Sequence, residues 1–225
     1  MLQKTKGIVL GYIKYGDTSI ITRIYTEQFG YASFIVNSIR SQKTKKSIGY
    51  FNPFTLLDMV VYLKQSRDIQ RVSEFKSYHP LHRLHFEPVR SAVTMFLTEV
   101  FIKLIQEDHS QNKPLFHFLE HSVKSLDQLD DGLAFFHLQF LLKLASYLGY
   151  EIQEIDTLYR SMDKLTPYFK NSHLLEAMIS DQYGSSYDIN LADRNSLLSA
   201  ILDFYGHHAQ ITRPKSLNIL RSLLE

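Results

Sequence analysis

The spacing of apolar residues changes once along this chain, near residue 80. Before that point apolar and polar positions alternate in short runs. After it, apolar positions recur every three to four residues. A period of two puts alternate side chains on opposite faces of a strand, and a period near 3.6 gathers them on one side of a helix. The chain is therefore expected to be α+β, with a β module over residues 1–79 and an all-α module over 80–225.

Five strands are expected in the first part: Lys6 to Ile13, Ser19 to Thr26, Tyr31 to Ile39, Thr55 to Leu63 and Ile69 to Phe75. Ile20, Thr22 and Ile24 alternate with Ile21, Arg23 and Tyr25, and Ala32, Phe34 and Val36 with Tyr31, Ser33 and Ile35, so one face of each strand is inside. Tyr15-Gly16-Asp17, Gln28-Phe29-Gly30, the polar run from Arg40 to Ser47 and Ser66-Arg67-Asp68 punctuate them. Five short strands in so few residues point to a small barrel or sandwich.

In the second part Val89, Val93, Phe96, Val100 and Leu104 predict a helix that Pro88 can open. Asn112-Lys113-Pro114 opens another, running to about Leu129. Leu133 to Leu148 is apolar almost all round, apart from a stripe of Gln139, Lys143 and Ser146, which predicts a central buried helix ended by Gly149. A short helix is expected over Ser172 to Gln182, one capped by Asp193, and a last one from Pro214 carrying Leu217, Leu220 and Leu224. Asp130-Asp131 reads as a helix-capping turn.

Composition removes several chemistries. The 225 residues contain no cysteine, which excludes disulfides, thiol nucleophiles and every cysteine-ligated zinc site and suits a reducing compartment. No apolar run approaches the ~18 residues that span a bilayer, and Ile8 to Ile13 is too short for a signal-peptide core, so a cytoplasmic location is expected. No Gly-rich phosphate loop and no Gly-x-Ser-x-Gly elbow is present. His117 and His121 have the i, i+4 spacing of two helical metal ligands, and a metal-dependent hydrolase built on them is one reading, but no Glu follows His117 directly and solvated surface histidines are the plainer one. His79, His82 and His85 lie in a loop where spacing by three fixes no geometry. His207-His208 suits a helix C-terminus. No catalytic constellation is visible, so neither an enzyme nor a cofactor is expected.

Charge is unevenly distributed. Residues 1–76 carry 12 Lys and Arg against 5 Asp and Glu, a net of +7, and residues 77–225 carry 13 against 18, a net of −5. The run Arg40-Ser41-Gln42-Lys43-Thr44-Lys45-Lys46 holds four cations and no carboxylate, and can contact several phosphates and release their counterions. Lys4, Lys6, Lys14, Arg23, Lys64, Arg67 and Arg71 add charge, and Tyr12, Tyr15, Tyr25 and Tyr31 interleave with them. A barrel with aromatics beside cations is a platform for single strands, on which bases stack and phosphates pair. The candidate DNA-binding residues are Lys4, Lys6, Arg23, Arg40, Lys43, Lys45, Lys46, Lys64, Arg67 and Arg71, with Tyr12 and Tyr31 for stacking. A solubilising loop and half-buried packing tyrosines are the competing readings.

Several pieces, in order and spacing, resemble the RecO family of bacterial recombination mediators: Lys4-Thr5-Lys6-Gly7-Ile8-Val9-Leu10, Tyr15-Gly16-Asp17, Tyr25-Thr26-Glu27-Gln28-Phe29-Gly30, and Ser38-Ile39-Arg40-Ser41 followed by lysines. Asn52-Pro53-Phe54 and Arg67-Asp68-Ile69 follow at fitting distances. Glu99, Phe135-Phe136-His137 and Leu148-Gly149-Tyr150 are similar in the helical part. The resemblance implies an OB-fold, basic and DNA-binding, followed by an acidic helical domain for protein interaction. It implies no catalysis. It implies binding of single- and double-stranded DNA, annealing of complementary strands, recognition of the C-terminal tail of single-strand-binding protein, and action with RecR to load RecA, in the bacterial cytoplasm at the nucleoid. Two features depart from the family. Glu151 to Tyr187 lacks the four cysteines of the zinc module many members carry, which implies a cysteine-free branch. Ser38 stands where family turns often have Gly. A protein adaptor whose barrel binds acidic peptides is the alternative that the charge asymmetry alone allows.

Overall fold

The computed structural model describes residues 1–41, 47–64, 66–105, 110–150 and 173–224. Five strands form a closed barrel: β1 (Leu2–Tyr15), β2 (Ser19–Thr26), β3 (Gly30–Val36), β4 (Leu56–Tyr62) and β5 (Ile69–His79), in the spatial order β1-β2-β3-β5-β4. A five-stranded barrel with this order is an OB-fold. All pairings are antiparallel except the β3–β5 seam, where Ser33 to Ile35 run alongside Ile69 to Arg71.

The first strand is longer than its apolar run, because it pairs twice. Leu2 to Ile8 pair with Tyr62 to Leu56 of β4, and Gly7 to Tyr15 pair with Thr26 to Ser19 of β2. A register shift between Val9 and Gly11 lets the strand bend from one partner to the other. β5 likewise continues past Phe75, since Ser77 and His79 pair with Leu57 and Leu56.

Val9, Ile20, Ile24, Phe34, Val36, Leu57, Met59, Val61, Val72 and Phe75 fill the barrel, and Phe51 and Ile39, from the segments between strands, join the same core. Gly7 is required inside it, because a Cβ there would lie 2.6 Å from Ile24 Cγ2 and from Met59 Cε. The barrel also has an apolar outer patch. Ile8, Leu10, Tyr25, Tyr31, Phe54 and Leu56 are buried against the helices in a second core, where Tyr25 meets Phe101 edge-on at 5.4 Å.

Six helices follow among the described residues: α1 (Pro88–Ile105), α2 (Lys113–Gln128), α3 (Leu133–Tyr147), α4 (His173–Ser180), α5 (Leu191–Ala209) and α6 (Leu217–Leu224). The near-continuous apolar sequence of α3 follows from its place, packed against α1, α2, α4 and α5. Its polar stripe is consumed internally. Gln139 Nε2 donates to Gln182 O (3.2 Å) and Tyr187 Oη (2.9 Å), and Lys143 Nζ donates to Ile179 O and to Asp181 O (2.8 Å). Tyr183 packs on Phe136 at 4.4 Å. Hydrogen bonds and rings thus tie residues 173–189 to α3. Gly132 and Gly184 touch through their backbones, and a Cβ on Gly132 would come within 2.5 Å of Gly184.

Two capping expectations are corrected. Asn190, not Asp193, caps α5: its side chain accepts the Asp193 amide at 2.9 Å, three residues on, the geometry of an N-cap. Asp130 does not cap a helix. It receives Arg83 at 2.8 Å, and α3 begins after Gly132 in the left-handed region.

The connector between barrel and helices is clasped to the end of α2. Asp127 accepts the amides of His82, Arg83 and Leu84 at 3.0, 2.9 and 2.8 Å. Burial alone would raise this carboxyl, but the three amides outweigh it and hold it below its ordinary range. Arg90 is 1% exposed; its guanidinium donates to Leu126 O in the last turn of α2, to Leu129 O just past its end, and to Glu87 at 2.6 Å.

Candidate nucleic-acid interface

Directly opposed residues on neighbouring strands share a face, so the registers map the barrel exterior. One outward row runs Ile13, Ile21, Ile35, Arg71, Tyr62 and Leu2. The adjacent row contains Arg23, Ser33 and Ile69. Arg23 and Arg71 are exposed, and the Arg71 guanidinium lies 5.9 Å from the Tyr62 ring centre. Lys64 and Arg67 are exposed on the β4–β5 loop, where Gln70 holds the backbone by accepting Lys64 N at 2.8 Å and donating to Lys64 O at 3.0 Å. Arg23, Lys64, Arg67 and Arg71 therefore sit on or beside one region of the surface. None of them has a carboxylate partner among the described residues.

Lys4 and Lys6 lie elsewhere. They line the β1–β4–β5 face, a groove of about 660 Å³ that also carries Glu27, Asp58, Glu74 and Lys76. Lys6 is directly opposite Asp58, which is 3.8 Å from Lys76. The Lys6 ammonium stands 4.9 Å from the Tyr78 ring centre. This face is of mixed charge rather than cationic.

Two expected roles change. Tyr31 is 8% exposed and belongs to the core shared with the helices, so its ring is not presented to bases; the outward face of β3 is covered there. Tyr12 is half-buried against the barrel interior. Arg40 also has internal work. Its guanidinium donates to Ser19 O (3.1 Å) and Gly16 O (2.5 Å), bracing the β1–β2 turn. Lys43, Lys45 and Lys46 lie outside the described residues. The turn that leads to them holds Ser38 at φ +58°, the left-handed region that glycine enters without strain.

The histidine pair does not converge. His117 sits between Glu27 (Nε2, 3.9 Å) and Glu120 (Nδ1, 3.8 Å), whereas His121 stacks beside Tyr183 at 6.0 Å. His85 Nε2 contacts Pro53 O at 2.7 Å. Among the described residues no group of three or more His, Asp or Glu side chains is arranged to hold a metal ion, and no helix is long and apolar enough to cross a membrane.

Comparison with known proteins gives this architecture a family. Residues 1–81 match the family model described as "Recombination protein O N terminal", and residues 85–156 match "Recombination protein O C terminal". The chain belongs to the RecO family. A protein of Bacteroides fragilis named DNA repair protein RecO is 32% identical over the whole of both chains. One of Flavobacterium johnsoniae with the same name is 31% identical over 98% of each. A third, from Phocaeicola vulgatus, is 39% identical over 66% of this chain and 61% of its own length. RecO membership places the chain in DNA repair and recombination, in a family of recombination mediators rather than a class of enzymes, with DNA and recombination-pathway proteins as partners in general. The two RecO matches meet at the connector that Asp127 and Arg90 clasp.

Proposed function

We propose that this chain is a non-catalytic recombination mediator that binds single- and double-stranded DNA through the barrel and anneals complementary strands. With RecR, it helps load RecA onto DNA coated with single-strand-binding protein. The observation that carries this reading is the group of exposed cations at Arg23, Lys64, Arg67 and Arg71, without carboxylate partners among the described residues and continuous in sequence with a net +7 segment. Such a surface holds phosphates with little sequence preference. Annealing requires two polyanions to approach, and cations supply the screening without bond chemistry. The helical part, with its −5 share of the charge, repels DNA over most of its surface and serves protein docking, including the tail of single-strand-binding protein. The site of action is the bacterial cytoplasm, at the nucleoid.

Oligonucleotide binding across a salt series tests the reading. Replacing Lys43, Lys45 and Lys46 together with Ala lowers the log–log salt slope by about 2 to 3 and weakens binding equally for unrelated sequences. An unchanged slope removes the 40–47 loop from the interface. Strand annealing, followed by fluorescence with and without single-strand-binding protein, separates a mediator from a simple DNA binder. An acidic peptide that occupies the barrel and resists displacement by excess single strands would replace this reading with that of a protein adaptor.

A further inference from the structure

The outward row on the barrel is largely aliphatic, with one cation, Arg71, within it and another, Arg23, in the row beside it. Ile13 is 60% exposed, Leu2 52% and Tyr62 41%, while Ile21 and Ile35 are half-buried between them. Cross-strand pairing makes the row continuous over Ile13, Ile21, Ile35, Arg71, Tyr62 and Leu2. At ~4.8 Å per strand it forms a curved track of about 24 Å. Arg23 stands one row to the side, two residues along β2 from Ile21, and Arg71 interrupts the track itself. A contiguous exposed apolar strip needs a partner. Here the neighbouring charges select its chemistry: the occupant must offer flat apolar surface and, within a few ångströms, negative charge. A strand of nucleic acid with unpaired bases offers both. A duplex offers phosphates and groove edges but no free base faces, because its bases are stacked on one another.

We infer that this aliphatic track is the seat of unpaired bases and makes the protein favour single strands over duplex, while Arg23 and Arg71 hold the adjoining phosphates. The inference rests on the DNA-binding reading above and assigns to it residues that carry no charge. It also moves base contact away from Tyr12 and Tyr31, which face the interior and the helices, to apolar packing on Ile13, Ile21 and Ile35 beside the ring of Tyr62. Base packing on side chains of this kind tolerates any sequence, since every base has an apolar face.

The test uses the full chain and three probes of equal charge: a thymidine oligonucleotide, an abasic strand of the same length, and a duplex. The wild-type protein binds the thymidine strand about tenfold more tightly than the abasic one. A triple variant, Ile13→Thr, Ile21→Thr and Ile35→Thr, keeps β-branched side chains suited to strands. It loses about tenfold for the thymidine strand only, with abasic and duplex affinities and the salt slope unchanged. Equal wild-type affinity for thymidine and abasic strands overturns the inference and leaves phosphate binding intact. An equal loss for all three probes in the variant overturns it as well. A protein that binds none of the probes overturns the DNA-binding reading itself. A concentration-dependent dimer in sedimentation that Ile13→Thr abolishes assigns the track to a second copy instead. Should the triple variant not fold, Ile13→Thr alone replaces it, and the wild-type comparison of thymidine with abasic strand stands without any variant.

Discussion

Glu99 and His137 are buried or half-buried groups whose ionisation is set by different causes. Burial would push the Glu99 carboxyl up, but the hydroxyl and amide of Ser216 (2.6 and 3.0 Å), the Lys215 amide (2.8 Å) and the Lys103 ammonium pull it down to about 2. It thereby caps the approach to α6 from α1. His137 is buried on α3 beside Phe96, and burial, aided by the positive charge of Arg194, lowers its imidazole to about 3. Both groups bind protons more readily in the unfolded chain than in the folded one, so both withdraw stability as the pH falls. The contribution of His137 is complete above its ordinary 6.5 and fades toward 3. That of Glu99 is complete above its ordinary 4.5 and fades toward 2. Urea midpoints measured from pH 7 to pH 2.5 should therefore fall in two overlapping stages. His137→Leu removes the part that begins near 6.5, and Glu99→Gln flattens the part below 4.5 while lowering the midpoint at pH 7.

At the scale of elements, the connector clasp explains how a loop of residues 80–87 holds a fixed course between a barrel and a bundle. Asp127 fixes its backbone, and Arg90 closes the end of the helix on which Asp127 stands. Arg90→Met leaves the buried Leu126 carbonyl without its donor and leaves Leu129 O and Glu87 with Arg83 alone, and should cost about 2–4 kcal/mol. Asp127→Asn turns an acceptor partly into a donor before three amides and should cost about 1–3 kcal/mol. Because both act on one clasp, the double variant should lose less than the sum of the two, which equilibrium unfolding of the four-member cycle measures. Little of this was legible in the sequence. A single arginine in a helical pattern reads as surface, and only the fold shows that Arg90 faces the end of α2. The strands were far more legible. Ser19–Thr26 matches β2 at both ends, because turn residues bound it on either side, Gly16-Asp17 before and Gln28-Phe29-Gly30 after. The ends of β1 and β5 were hidden, since their residues alternate with charges and are strand only by virtue of a partner. At the candidate site, period two separated Arg23 from the barrel interior. It could not separate Ile21, which faces out to solvent, from Tyr25, which faces out to the helices, because both lie on the same side of one strand.

For the whole molecule, the decisive feature is that the barrel is not closed to its neighbour. Six of its residues, Ile8, Leu10, Tyr25, Tyr31, Phe54 and Leu56, lie in the core of the helices. At about 25 cal/mol per Å² of apolar surface, uncovering six large side chains is costly and leaves a sticky patch. Residues 1–79 expressed alone should therefore aggregate or bind a hydrophobic dye strongly, although all five strands are present. Replacing Tyr25, Tyr31 and Phe54 with Ser or Thr should restore solubility to that fragment while destabilising the full chain. Light scattering of the fragment and thermal melting of the full chain check the two halves of this expectation.

The same shared patch limits how such proteins can diversify. A barrel lifted from one relative and grafted onto the bundle of another would bring a seam shaped for a different counterpart, so substitutions at Tyr25 should be tolerated only alongside matching changes around Phe101. The barrel and the bundle are in this sense inherited as a pair, since each supplies part of one continuous core.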